Sequence, residues 1–311
     1  MKLKTFTVLS FLVGIAVCQK RIVLTNDDGW ATGAIRAQYE ALRDAGYDII
    51  LSAPAVDMSG TGPLSTDPVV VVDGCEFDTC PPLSPPEGSD PSDPRINYVN
   101  AFPADSVKFG IRTLAPKFFD GNPPDFVVSG PNTGHNVGVI IGSGTVYSGA
   151  ASEAAKEGVP SVAISGTGLP HASFTTLESD PTSSGSLAAR IYGGVGVRFV
   201  NALLAGAAGG PILPPGISLN VNYVRTNTTN CASSDDFKFI LTRVLPDPLK
   251  LFRDVTTCGT SHLPDESAVI NAEAGCFATV SVFQAKNTLD ADANTQKFVL
   301  DRLGSLLSCL P

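Results

Sequence analysis

The chain has 311 residues, of which 43% are hydrophobic and 16% charged. Its 30 glycines and 24 prolines stay below the ~25–30% share that marks low-complexity sequence, which excludes disordered and collagen-like chains. A net charge of −9 argues against a nucleic-acid polymer as partner, because phosphate backbones recruit basic surfaces.

Taken in chain order, residues 1–18 read as a secretory leader. Lys2 and Lys4 precede an apolar run from Phe6 to Val17, and Ala16 and Cys18 are small residues at a cleavage point before Gln19. The run is shorter than the ~20 residues of a membrane span. The stretch 199–213 is interrupted by Asn201, Gly206, Gly209, Gly210 and Pro211, so no membrane is expected. Without Cys18, six cysteines remain: Cys75, Cys80, Cys231, Cys258, Cys276 and Cys309. An even count in an exported chain predicts up to three disulfides, with Cys75–Cys80 closing a local turn. Zinc is the weaker reading, since paired C-x-x-C units are missing. Asn227-Thr228-Thr229 is a glycosylation acceptor and fits the same compartment.

Arg21–Thr25 is a β-branched run that predicts a buried strand. Asn26-Asp27-Asp28-Gly29 follows as a turn. Ile35, Tyr39 and Leu42 at helical spacing predict a helix over 33–46, and Asp48–Ala53 a second strand. This βαβ unit predicts an α/β sheet. Residues 54–66 read as a loop. Val69–Val72 and Ile96–Val99 are candidates to pair as strands around a Pro/Ser/Gly-rich surface loop at 81–94. Helix is predicted at 103–114, strand at 125–128, a long Gly/Asn-rich loop at 129–142, and an alanine-rich helix at 144–157. Strand follows at 160–165, helix at 187–204, strands at 217–224, 237–244 and 278–284, and a terminal helix at 294–307.

Ligands of open α/β sheets sit beyond the carboxyl ends of the strands. Three loops there carry polar side chains: 26–29, 59–62 and 129–132. Adjacent carboxylates repel, and a divalent cation resolves the repulsion. Asp27 and Asp28 with Ser59 and Asn132 make an oxygen-rich set suited to Mg²⁺, Mn²⁺ or Ca²⁺ rather than zinc. Such an ion acts as a Lewis acid on a phosphoryl group. Each residue also has a plainer reading: the tetrapeptide as a tight turn, Ser59 as a loop hydroxyl, Asn132 as a cap. Ser143, Gly144 and Thr145 precede a helix and can present amides to an anion, or Ser143 can simply cap that helix. Asn136, and with it Asn26, can face a phosphate oxygen. His135 is a candidate proton donor or a solvated loop histidine. Trp30 either covers the site or belongs to the core. The G-x-G-x-x-G spacing of nicotinamide enzymes and the G-x-S-x-G elbow of serine hydrolases are missing.

Six ordered blocks carry a family resemblance. They are Val23-Leu-Thr-Asn-Asp-Asp-Gly29, Ser52-Ala-Pro54 with Ser59-Gly-Thr-Gly62, and Phe102-Pro-Ala-Asp-Ser-Val107. The others are Pro124-Asp-Phe-Val-Val-Ser-Gly-Pro-Asn132 with Asn136, Ser143-Gly-Thr-Val146, and Glu157-Gly-Val-Pro-Ser161. Over residues 21–166 the chain resembles the survival protein E (SurE) family of metal-dependent phosphatases and nucleotidases, especially its secreted fungal branch. The resemblance implies a three-layer, Rossmann-like parallel sheet with a smaller β-rich extension, here 205–311, within one domain at 19–311. It also implies one metal at Asp27, Asp28, Ser59 and Asn132, and phosphate contacts from Asn136, Ser143, Gly144 and Thr145. Asp27 and Asp28 are the catalytic candidates: attack comes from a metal-activated water, or Asp27 serves as base or nucleophile. The expected reaction is hydrolysis of nucleoside monophosphates or other small phosphate esters by water, with a homodimer as the allowed oligomer. Pro63, Pro131 and Gly142 depart from the bacterial pattern and put substrate preference in question. The rival reading is a secreted nucleotide- or phosphate-binding protein with little turnover.

Overall fold

The computed structural model describes residues 19–138, 147–226, 231–272 and 275–311. The leader, the Ser143-Gly144-Thr145 segment and the Asn227 acceptor therefore lie outside the described residues.

Nine strands form one mixed sheet in the order β3-β4-β2-β1-β5-β6-β7-β9-β8. They are β1 (Arg21–Thr25), β2 (Asp48–Pro54), β3 (Glu87–Asp90), β4 (Asp93–Val99), β5 (Phe126–Thr133), β6 (Ser161–Gly166), β7 (Ile217–Tyr223), β8 (Lys238–Thr242) and β9 (Phe277–Gln284). Strands β4, β2, β1, β5, β6 and β7 run parallel. β9 reverses direction against β7, and β8 runs parallel to β9. The β-rich C-terminal part thus continues the main sheet rather than folding apart from it.

The helices are α1 (Gly33–Asp44), α2 (Pro103–Phe109), α3 (Ala115–Phe118), α4 (Ser152–Lys156), α5 (Thr176–Ser179), α6 (Ser184–Ala207), α7 (Glu266–Ile270) and α8 (Ala293–Leu303). Alternation along β1 sorts the layers: Ile22 and Leu24 join a core with residues of α1, α6 and α8, while Val23 joins Val107, Leu114 and Ala154 on the other face. That two-sided burial explains the continuous apolar run of β1. α6, predicted as a helix at 187–204, is long and apolar enough, by length and composition, to cross a membrane. Its buried face, including Tyr192, Val195, Phe199 and Leu203, packs in the core.

Other expectations need correction. Val69–Val72 does not pair with 96–99. Its place beside β4 is taken by β3, which lies inside the expected surface loop 81–94. The sequence Glu-Gly-Ser-Asp of β3 has no apolar alternation to announce a strand, and an edge strand needs none. Val71 makes only an isolated bridge to Ser84. The predicted helix at 103–114 is α2 followed by wider turns over Gly110–Leu114. Most importantly, 129–133 is strand, not loop: Asn132 pairs with Ser165 and Thr133 with Gly166. The register slips between Ser129 and Asn132, at a cis Gly130–Pro131 bond. Gly130 has φ 121°, and a Cβ there would lie 2.1 Å from the Ile164 carbonyl oxygen, so only glycine fits.

Three disulfides are formed: the expected Cys75–Cys80, together with Cys231–Cys276 and Cys258–Cys309.

Candidate active site

β1 is flanked by β2 on one side and β5 on the other. The chain runs from β1 to β2 on one side and later crosses from β4 to β5 on the other, which makes the carboxyl end of β1 a switch point where the connections part and leave a crevice. Asn26, Asp27 and Asp28 occupy that point, all buried.

The segments around them are tied together by hydrogen bonds. The Met58 amide donates to the Asp27 carbonyl at 2.8 Å, which fastens the loop bearing Ser59 to the aspartate pair. The Trp30 amide donates to the Pro54 carbonyl at 2.9 Å. From the other side, Thr133 donates its amide to Asp28 Oδ2 at 2.9 Å and its hydroxyl to Asp28 Oδ1 at 2.6 Å. The end of β5 thereby holds Asp28, with Asn132 next in chain. The loop after β2 and the end of β5 thus both bond directly to the aspartate segment.

The pair is electrostatically uncomfortable. Asp27 is 5% and Asp28 1% exposed. Burial, then the neighbouring charge of Asp28, holds the Asp27 carboxyl well above the usual carboxylate range. Burial pushes Asp28 up to about 6, against the opposing hydrogen bonds from Thr133. Asp27 Oδ1 and Asn26 Oδ1 are buried without a hydrogen-bond partner. Two crowded carboxylates with an unspent oxygen are what a divalent cation would relieve, so the donor set fits such an ion. Among the described residues no three His, Cys, Asp or Glu side chains cluster as a metal site. The candidate set mixes two carboxylates with the exposed Ser59 and the buried Asn132.

Asn136 is fixed from beneath. Asn222 accepts its amide at 2.7 Å and donates to its carbonyl at 3.1 Å, and Asn220 donates to the same carbonyl at 3.0 Å. The Asn136 side chain donates to Ser165 Oγ at 2.8 Å. Glu266 of α7 accepts from Asn220 at 2.7 Å and from the Gly138 amide at 3.1 Å. Burial pushes the Glu266 carboxyl up to about 8. His135 is exposed. Trp30 is buried against Tyr98, 5.1 Å between ring centroids, and belongs to the core.

Sequence reasoning missed Thr133, Glu76, His171, Asn220, Asn222 and Glu266. His171 Nδ1 lies 3.9 Å from Asp28 Oδ1, and its Nε2 meets Glu76 Oε1. Burial alone would lower the His171 pKa, but the Glu76 contact outweighs it and raises the net value. None of these residues sits in a local pattern. Glu76 at least carried a signal, lying inside the predicted Cys75–Cys80 turn.

The Survival protein SurE family model matches residues 22–244. The chain belongs to the SurE family. An acid phosphatase of Yarrowia lipolytica is 33% identical over 300 residues, covering 88% of this chain and 82% of that protein. The 5'-nucleotidase SurE of Thermosynechococcus vestitus is 35% identical over 205 residues, 65% of this chain and 63% of the relative. The crystal structure of a SurE protein from Aquifex aeolicus superposes with a TM-score of 0.55 at 25% identity, covering 86% of this chain and 94% of that one. The chain is therefore a hydrolase of the phosphatase/nucleotidase class on a Rossmann-like α/β fold.

Proposed function

We propose that this SurE protein is a divalent-metal-dependent phosphomonoesterase, hydrolysing nucleoside monophosphates or other small phosphate esters with water. The observation that carries the reading is the buried Asp27–Asp28 pair at the switch point, with Asp27 Oδ1 lacking any protein partner. Asp27, Asp28, Ser59 and Asn132 would hold one Mg²⁺ or Mn²⁺, with Ca²⁺ as an alternative. A bound cation of this kind supplies Lewis-acid polarisation of the phosphoryl group and acidifies a coordinated water.

The chain's own residues have separate tasks. Thr133 holds Asp28 in one orientation. Asp27 and Asp28 are the catalytic pair: they take a proton from the attacking water as the P–O ester bond breaks and return it to the departing alkoxide, which leaves as the alcohol. Asn136, with Asn26 and the 143–145 segment, binds the phosphate. A small ester rather than a nucleic-acid polymer is in keeping with the acidic chain. The leader at 1–18, the Asn227 acceptor and three disulfides favour work outside the cell.

The purified protein should release phosphate from a nucleoside monophosphate with Mg²⁺ or Mn²⁺, stop in EDTA, and recover when the metal returns. Full turnover in EDTA would overturn metal dependence. No release from any monoester would overturn the activity.

A further inference from the structure

Two segments outside the expected metal and phosphate set close over the aspartate pair. The first is the turn closed by Cys75–Cys80. Its Cys75 amide donates to the Cys80 carbonyl at 3.1 Å, and the Glu76 amide donates to the Ala55 carbonyl at 3.1 Å, which presses the turn onto the loop after β2. Glu76 also lies against Gly29, the residue after the aspartates. Gly29 has φ 101°, which favours glycine, and a Cβ there would come within 2.8 Å of Glu76 Oε2.

The second is the segment after β6. The Gly33 amide donates to the Ala172 carbonyl at 2.8 Å, and the Phe174 amide donates to the Ala31 carbonyl at 2.9 Å. This stitching puts His171 3.9 Å from Asp28. Glu76 grips the far nitrogen of the ring. Phe77 lies beside His171, with ring centroids 5.7 Å apart and planes 38° from each other. Phe77 holds a left-handed φ of 55° and remains 36% exposed. An apolar ring on a left-handed backbone, 36% exposed and beside the histidine that faces Asp28, is positioned for something other than core packing.

We propose that His171 and Phe77, set by the Cys75–Cys80 turn through Glu76, form the wall that contacts the organic part of the ester and favours an aromatic or nucleoside group over a small aliphatic one. The inference rests on the phosphomonoesterase reading. Phe77 and His171 touch the substrate. Glu76 acts through His171 and is a positioning residue. Flat rings in the leaving group would stack on this wall, whereas glycerol would leave it wet.

The test is a selectivity ratio: kcat/KM for adenosine 5'-monophosphate divided by kcat/KM for glycerol phosphate. The variants are Phe77→Asn and Glu76→Gln, since asparagine tolerates the left-handed backbone. Phe77→Asn should lower the ratio on the order of fivefold, through KM of the nucleotide. Glu76→Gln should lower it in the same direction. Because Phe77 is partly exposed, its variant should fold, and its melting curve verifies that. An unchanged ratio in Phe77→Asn, with turnover of both esters retained, overturns the wall while leaving the phosphatase reading intact. A wild-type protein that turns over neither ester overturns both.

Discussion

At the ends of β1, β2 and β5 the chain gathers buried acids and neutral oxygens with partners left over. Along β7 and β9 it buries an equally polar face in which most side-chain donors and hydroxyls are bonded, although Asn220 Oδ1 and the Tyr223 hydroxyl have no hydrogen-bond partner. Ser218, Asn220 and Asn222 alternate down β7 with Leu219 and Val221, and they pair in register with Ser161, Ala163 and Ser165 of β6. Ser161 and Ser218 bond to each other at 2.8 Å, and Thr242 bonds Ser281 at 2.7 Å. Asn220 and Asn222 turn the rest of that face toward Asn136. The first region keeps unspent oxygen and is fitted to bind. The second directs its asparagine side chains at the Asn136 backbone and is fitted to hold a loop still.

If that division is right, damage to the two regions should differ in kind. The largest effect is expected from Asp28→Asn. It should lower kcat by at least about a hundredfold, as a lost metal and catalytic oxygen would. In metal-free buffer the same variant should melt about 2–4 °C higher, because a buried carboxylate beside another is gone. A variant that loses activity and melts lower would place Asp28 with the structural region instead.

The second region is probed by Glu266 and Asn222. Glu266→Ala removes one hydrogen bond each from the Gly138 amide and the Asn220 side chain, which keeps its bond to the Asn136 carbonyl. Asn222→Ala frees the amide of Asn136 and leaves its carbonyl with the Asn220 bond alone. Each should raise KM about tenfold with a smaller change in kcat, the signature of a loosened phosphate-binding loop. Glu266→Gln keeps the shape and one acceptor, and should restore most of the affinity. It should also change the pH response. Between the ordinary carboxylate range and about 8, folded Glu266 keeps a proton that the unfolded chain has released. Raising the pH through that window therefore weakens the wild-type fold. Melting curves of Glu266→Gln should lose that part of the decline. An identical slope in both proteins would remove Glu266 from the account.

The same contrast explains what could be read from sequence. Asp27 and Asp28 were legible because a strand, a turn and a glycine stand in seven consecutive residues. Asn132 was legible as chemistry but misplaced in a loop, since the slip at Gly130–Pro131 hides the continuation of β5. The holding residues had no such local record. Thr133 meets Asp28 across 105 residues, His171 meets Glu76 across 95, and Gly138 meets Glu266 across 128. Asn220 and Asn222 looked like interruptions of an apolar strand. Their role appears only once β6 and β9 stand on either side and one face is turned to the Asn136 loop. Pattern marks the residues that bind, while fold alone selects the residues that hold them.

Thr133 stands on the boundary between these classes, and Thr133→Val is the mildest and most discriminating change. Valine keeps the branched shape and the strand preference of the position. The backbone amide still donates to Asp28 Oδ2, so only the 2.6 Å hydroxyl bond to Oδ1 is lost. One hydrogen bond to a charged group is worth about 1.5–3 kcal/mol, but the freed oxygen can turn toward a cation or water and recover part of it. Activity should therefore fall only about three- to tenfold, and the concentration of Mg²⁺ needed for half-maximal rate should rise by a similar factor. Titration of activity against Mg²⁺ separates the possibilities. A rate loss that added metal restores makes Thr133 a holder of the Asp28 ligand, whereas a loss that metal cannot restore moves the hydroxyl to the substrate side of the pocket.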